Sequence, residues 1–160
     1  MNGAFTIEQA SDGDRLDVLR VLDAAMLETD AERVADRIDA GDVFVARFER
    51  TGGVVGALVA SRKEDGEQSE ETLHVDAVAV RRARRGRGIG SALVEAAIDR
   101  GRADPGTDRV TVVFDGSLAG FYADLGFEVE PDRVTEGDEP PANDRLRGVL
   151  LVGTGVEAER

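Results

Sequence analysis

RRARRGRGIGSALVEAA, residues 81–97, carries five arginines and three glycines in its first ten positions, and an alanine-rich helical pattern follows. It is preceded by TLHVDAVAV (72–80), which reads as a strand. A strand, a glycine turn and a helix make an arrangement suited to a phosphate. Glycines let the backbone come close to an anion. The first amides of a helix have no acceptor within it, and the helix dipole favours negative charge there. Arginines around the turn add attraction. Two well-known loops do not fit. A Walker loop ends in Gly-Lys-Ser/Thr, whereas Gly90 is followed directly by Ser91, and a dinucleotide fingerprint needs G-x-G-x-x-G where this turn has G-x-G-x-G.

The turn does match Arg-x-x-Gly-x-Gly through Arg85, Gly86, Arg87, Gly88, Ile89 and Gly90. In this setting it resembles the acyl-CoA pyrophosphate loop of the GNAT superfamily of N-acetyltransferases. AVAV stands ahead of it on the strand, and FYADLGF (121–127) matches a second signature, an aromatic-Tyr pair before Leu-Gly-Phe. One helix plus one strand separates the two, as in the family. The resemblance covers residues 72–130 well, and upstream of that only the order of elements agrees. Three positions depart from the pattern. Arg82 stands where a proline is frequent, Asp115 where an asparagine is usual, and Leu118 where an alanine is frequent. The exchange at Asp115 matters chemically, because an ionised carboxylate only accepts hydrogen bonds.

The resemblance implies an α/β (α+β) fold: a central, mixed, mostly antiparallel twisted sheet of about six or seven strands with helices on both faces. It implies acetyl-CoA as cosubstrate. Gly86, Gly88, Gly90 and Ser91, with Arg85, Arg87 and Ile89, would cradle the pyrophosphate. The backbone of Val78, Ala79 and Val80 would hold the pantetheine arm and the oxyanion. Asp115 and Tyr122 would face the cofactor, and Tyr122 would assist the departing thiolate. A competing reading places Tyr122 in the core, since Leu118, Phe121, Tyr122 and Leu125 form an i, i+3, i+4, i+7 stripe.

Outward from this centre, the chain alternates elements. AFTIEQA (4–10) is expected as a first strand and residues 11–26 as a helix capped by Asp12 or Asp14, with Leu16, Val18, Leu19, Val21 and Leu22 on its buried side. A second helix follows over 30–40, ended by Gly41. Residues 42–49 and 54–62 form a hairpin across RTGG, and 63–71 is expected as a polar loop. After the helix at 88–102 come a strand at 108–114, a short helix at 117–126 and a strand at 127–130. A proline-bearing loop (131–145) leads to a last strand at 146–152. The expectation is one domain over 1–153 and a flexible tail over 154–160.

Composition sets the outer bounds. The net charge is −13, from 33 carboxylates against 20 basic residues, and Lys63 is the only lysine among those 20. Such a surface repels itself at low salt, and the expectation is a halophilic source. The acidity opposes nucleic-acid binding, which needs a basic face. With no cysteine and one histidine, thiolate chemistry is excluded and no metal is expected. VVGALVA (54–60) is too short to span a bilayer, and the start lacks a signal-peptide pattern, so a cytoplasmic protein without membrane partners is expected. A homodimer is left open.

Acetyl transfer to an amine requires that the amine lose a proton, because an ammonium has no lone pair. His74, Asp76, Val78 and Val80 share one strand face. His74 stands where family members often carry a glutamate base, an imidazole suits the role, and Asp76 is the second candidate. A water chain without a dedicated base is the alternative. Without an activated nucleophile, direct attack in a ternary complex is expected rather than an acyl-enzyme. The acceptor would be an amine on a small molecule, a protein N-terminus or a lysine. A non-catalytic acyl-CoA sensor and a nucleotide or nucleic-acid binder are the competing functions.

Overall fold

The computed structural model describes residues 4–24, 30–65, 70–81, 88–131 and 145–152. The chain forms two compact units that interleave along the sequence: Met1–Ser61 with Val75–Arg100, and Arg62–His74 with Gly101–Arg160.

The first unit begins with β1 (Phe5–Gln9), a 3-10 turn (Asp12–Asp14), α1 (Arg15–Ala24), α2 (Ala31–Ala40), β2 (Val43–Phe48) and β3 (Val54–Asp65), whose last residues belong to the second unit. It also holds the end of β4 (Glu70–Val80) and most of α3 (Ile89–Ala103). The strand order is β1-β2-β3-β4, and both β1–β2 and β2–β3 are antiparallel. Every residue of β2 except Arg47 is buried, so the strand is covered on both faces. On one face Val43, Val45, Ala57 and Val59 meet Val18, Val21 and Leu22 of α1 and Val34 and Ile38 of α2. On the other, α3 closes directly on β3 at Gly56. A Cβ built there would lie 3.1 Å from Ile89 Cγ2 and 3.2 Å from both Leu93 Cδ1 and the Ala79 carbonyl oxygen. The missing side chain sets the approach of α3.

The second unit carries β5 (Thr107–Asp115), a 3-10 turn (Gly116–Leu118), α4 (Ala119–Asp124), β6 (Glu128–Pro131) and β7 (Arg145–Leu151). Its order is β4-β5-β7-β6, with β5–β7 and β7–β6 antiparallel. Arg62 ties the start of this unit to its β5 edge by donating to Asp104 Oδ2 at 2.5 Å and to Thr107 Oγ1 at 2.7 Å.

The expected mixed α/β architecture of seven strands with helices is present, and several local expectations need correction. Leu16 is 58% exposed rather than buried. The buried positions 18, 21 and 22 repeat at i, i+3, i+4, and Leu16 lies two residues off that stripe, on the opposite side of the helix. The cap before α1 is Ser11. Asp14 reaches back to accept from the Ser11 amide at 3.0 Å and also takes Arg47 Nη2 at 3.0 Å. Burial works to raise the Asp14 pKa, but the Ser11 amide and the Arg47 guanidinium outweigh it and hold the carboxyl below its usual range. Residues 63–65 and 70–71 continue β3 and β4 where a loop was expected, because backbone pairing can extend past the apolar part of a strand. The helix expected over 117–126 is a 3-10 turn followed by the shorter α4. The expected loop at 131–145 and the tail at 154–160 lie, apart from Pro131 and Arg145, outside the described residues.

Candidate active site

In the first unit the residues nominated from sequence line the end of β4 and the start of α3. Val78 and Val80 are half-buried, Ala79 is buried among the core residues and Asp76 is exposed. Arg81 anchors the strand end. Its amide donates to the Val55 carbonyl at 2.8 Å and its Nε to the Val54 carbonyl at 3.2 Å, so this arginine is engaged by backbone. Arg82, Arg84, Arg85, Gly86 and Arg87 lie outside the described residues.

The helix entry itself is described. Gly88 has φ +83°, is exposed, and a Cβ built on it meets nothing within 4 Å. The left-handed backbone, and not crowding, is what requires glycine here. The first intrahelical bond of α3 runs from the Ala92 amide to the Gly88 carbonyl at 3.0 Å. The amides of Ile89, Gly90 and Ser91 therefore have no acceptor inside the helix, and they stand at its positive end. Ile89 itself is 4% exposed and packs against β3 at Gly56. Its side chain anchors the turn, and only its backbone is a candidate for an anion. The donor set fits a pyrophosphate: three consecutive amides, the half-buried Ser91 hydroxyl and a glycine with open space above it.

In the second unit, Tyr122 is 5% exposed, at the centre of an aromatic cluster. Its ring stacks on Phe114 at 4.3 Å between centroids and meets Phe121 and Phe127 edge-on at 4.9 and 5.6 Å. The ring is core, and it carries the only phenol in the chain. Burial raises its pKa from 10.0 to about 12, so it keeps its proton throughout the physiological range. Leu118, expected on the same apolar stripe, is 42% exposed.

Asp115 acts locally. Its Oδ2 accepts from the Ser117 amide at 3.2 Å and the Ser117 hydroxyl at 2.7 Å, which caps the 3-10 turn leading into α4. These two bonds, with the nearby Arg145 charge, hold its carboxyl below the usual range. The side-chain acceptor an asparagine would offer here is kept, and its donor is not. His74 is half-buried, with Nδ1 2.7 Å from Thr111 Oγ1. Thr111, 2% exposed, was not nominated from sequence. The signal was present in the alternation of β5, where Val110, Val112 and Phe114 share the apolar face and Thr111 stands on the other.

A cavity of about 570 Å³ in the first unit is lined by α1 and α2 side chains, Leu16, Leu19, Glu32 and Asp36 among them. It contains none of the nominated residues. Among the described residues no cluster of His, Asp and Glu is arranged to hold a metal ion, and no helix is long and apolar enough to cross a membrane.

The sequence pattern of the acetyltransferase (GNAT) family matches residues 15–127, from the first residue of α1 to the last of FYADLGF. The chain belongs to the GNAT acetyltransferase family. The match reaches well upstream of the segment whose motifs are legible by eye. Solved structures agree on the fold. YncA of Salmonella typhimurium, holding its cofactor acetyl-CoA, is 21% identical with a TM-score of 0.71, over 93% of this chain and 94% of its own. The polyamine N-acetyltransferase of Drosophila melanogaster, which forms N-acetylagmatine, is 20% identical with a TM-score of 0.70, over 92% of this chain and 100% of its own. NAA60 of Arabidopsis thaliana, in complex with a bisubstrate analogue, is 13% identical with a TM-score of 0.71, over 92% and 98%. At these identities the likeness speaks for the fold. No curated protein sequence matches the chain.

Proposed function

We propose that this GNAT acetyltransferase moves an acetyl group from acetyl-CoA to an amine by direct attack in a ternary complex. The observation that carries the reading is the entry to α3, where a left-handed Gly88 opens onto three amides with no acceptor in the helix. A pyrophosphate is the anion such an entry suits, and YncA, of the same fold, holds acetyl-CoA. In this reading the amides of Ile89, Gly90 and Ser91, with Gly86, Gly88 and the arginines Arg85 and Arg87, bind the pyrophosphate. The backbone of Val78, Ala79 and Val80 takes the pantetheine arm.

The chemistry assigns each group a step. The amine nitrogen attacks the thioester carbon, the C–S bond breaks and the electron pair leaves on sulfur. Tyr122 stabilises that sulfur as a hydrogen-bond donor. With its pKa near 12 and an ordinary thiol near about 8.5, full proton transfer from the phenol would be uphill by roughly 5 kcal/mol. The proton that finally reaches sulfur is therefore the one released by the amine. Asp76, an exposed acceptor-only carboxylate, or water takes it first. The acceptor is a primary amine on a small molecule or on a protein N-terminus or lysine. The polyamine N-acetyltransferase among the similar structures supports the first.

The test is ligand-dependent stability. Acetyl-CoA should raise the melting temperature while ATP and NAD leave it unchanged, and the absence of any shift with acetyl-CoA in concentrated salt would overturn the reading. Binding without thiol release across a panel of amines would instead identify an acyl-CoA sensor.

A further inference from the structure

The cavity of about 570 Å³ lined by α1 and α2 lies wholly within the first unit. Leu16, Leu19, Ala31 and Ala35 give it apolar walls, and Arg15, Glu32 and Asp36 give it charges of both signs. Leu16 is 58% exposed, and among the described residues of this unit it is the one large hydrophobic side chain so exposed. A lone exposed leucine needs no explanation, but this one stands at an apolar hollow large enough to take another leucine. The charges are equally unused. Among the described residues none of Arg15, Glu32 and Asp36 has an ion pair. Glu32 and Asp36 stand four residues apart on α2, as Arg33 and Arg37 do beside them. A helix that satisfied its own surface would set opposite signs at that spacing, and like signs there are unfavourable.

We infer that a second copy of the chain packs on this face across a twofold axis, with Leu16 of each copy entering the other's cavity and Arg15 of each meeting the other's Glu32 and Asp36. A twofold contact uses the same patch on both copies, so the patch must be complementary to itself. This one carries an exposed leucine beside an apolar hollow, and a cation on α1 against two carboxylates on α2. A basic partner would set a like charge against Arg15, and an acidic partner would set one against the carboxylates. A copy turned by half a turn satisfies both signs, twice over. A specific contact buries about 1,000 Å² or more in total, so exposed neighbours on α1 and α2 join it around the cavity. Two chains of net charge −13 repel each other at long range, so the contact forms where salt screens that repulsion and leaves the close pairs. None of the residues nominated for catalysis or for acetyl-CoA lines the cavity, and the contact does not depend on the acetyl transfer proposed above.

Sedimentation equilibrium of the full chain, over a range of protein and salt concentrations, tests the contact. The wild type should form a dimer that strengthens from low to molar salt. Leu16→Glu, at a site already exposed, should keep the fold by circular dichroism and weaken the dimer at least about tenfold, since it would bury an unpaired charge. The charges are tested at the lowest salt that sustains the wild-type dimer. Arg15→Asp by itself, or Glu32→Lys together with Asp36→Lys, sets like charges against each other at both halves of the contact and should weaken the dimer at least about tenfold. Mixed in equal amounts, these two variants should associate to within about threefold of the wild-type affinity, because every pair then joins opposite signs. A monomer at every concentration and salt, a dimer indifferent to Leu16→Glu, or folded charge variants that do not recover on mixing would overturn the inference. A monomer whose melting temperature rises with putrescine, an effect lost in Asp36→Asn, would give the cavity to a small cation and overturn it likewise.

Discussion

Tyr122 offers an unusually clean titration. It is the only tyrosine, the chain has no tryptophan and only one lysine, so ultraviolet phenolate absorbance reports a single group over a pH range where little else ionises. Burial against Phe114, Phe121 and Phe127 raises its pKa from 10.0 to about 12. The folded protein therefore holds a proton that the unfolded chain gives up between those two values. The resulting stability is complete below pH 10 and is lost as the pH rises through about 12. Two units at about 1.36 kcal/mol each amount to about 3 kcal/mol, a substantial part of the 5–15 kcal/mol of a typical domain. In a pH series followed by phenolate absorbance and by circular dichroism, the native phenol should resist ionisation well past pH 10 and ionise together with loss of structure. In urea the same group should titrate near 10. Tyr122→Phe should lose about 3 kcal/mol less stability than wild type across that interval. A native midpoint near 10 with the fold intact would refute the reasoning, since it would mean that the hydroxyl is solvated.

Further predictions follow from the rest of the structure. Gly88→Val forces a branched residue into φ +83° at the phosphate entry, so acetyl-CoA affinity by calorimetry should fall at least about tenfold, and unchanged affinity would contradict the cradle. Gly56→Val drives side-chain atoms into Ile89, Leu93 and the Ala79 carbonyl and should destabilise the fold by about 1–3 kcal/mol in urea. Asp14→Asn should cost stability at neutral pH, with the difference from wild type shrinking as the pH falls below the ordinary carboxyl value of 3.8, because the depressed pKa of Asp14 stabilises the fold only while the group is ionised. With a net charge of −13, the melting temperature should rise from low to molar salt as self-repulsion is screened, and a flat response would remove the case for a halophilic source.

Much of this was legible in the sequence where one residue decides one local event. The glycine turn and the helix behind it announced open amides at the helix entry. FYADLGF placed a phenol after β5, and residues 42–49 and 54–62 around RTGG announced the β2–β3 hairpin. What the sequence did not carry depends on partners distant along the chain. Leu16 looked like core because its neighbours are, but the helix turns it outward. Asp14 looked like a helix cap, but Ser11 holds that place, and nothing in the sequence paired Asp14 with Arg47, 33 residues away. Asp115 looked like a weakened cofactor contact, and its carboxylate is bound by Ser117 two residues on. The link between His74 and Thr111 crosses 37 residues, and no spacing rule relates them.

Passage of an acetyl group from acetyl-CoA to an amine is read most directly as thiol release with mass analysis of the acceptor. A panel of polyamines, small primary amines and peptides with free N-termini or lysines should be assayed in concentrated salt. Release should depend on one class of amine, with stoichiometric N-acetylated product and a loss of turnover in Tyr122→Phe at nearly unchanged acetyl-CoA affinity. Release that is independent of every amine, or turnover in Tyr122→Phe equal to wild type, would contradict it.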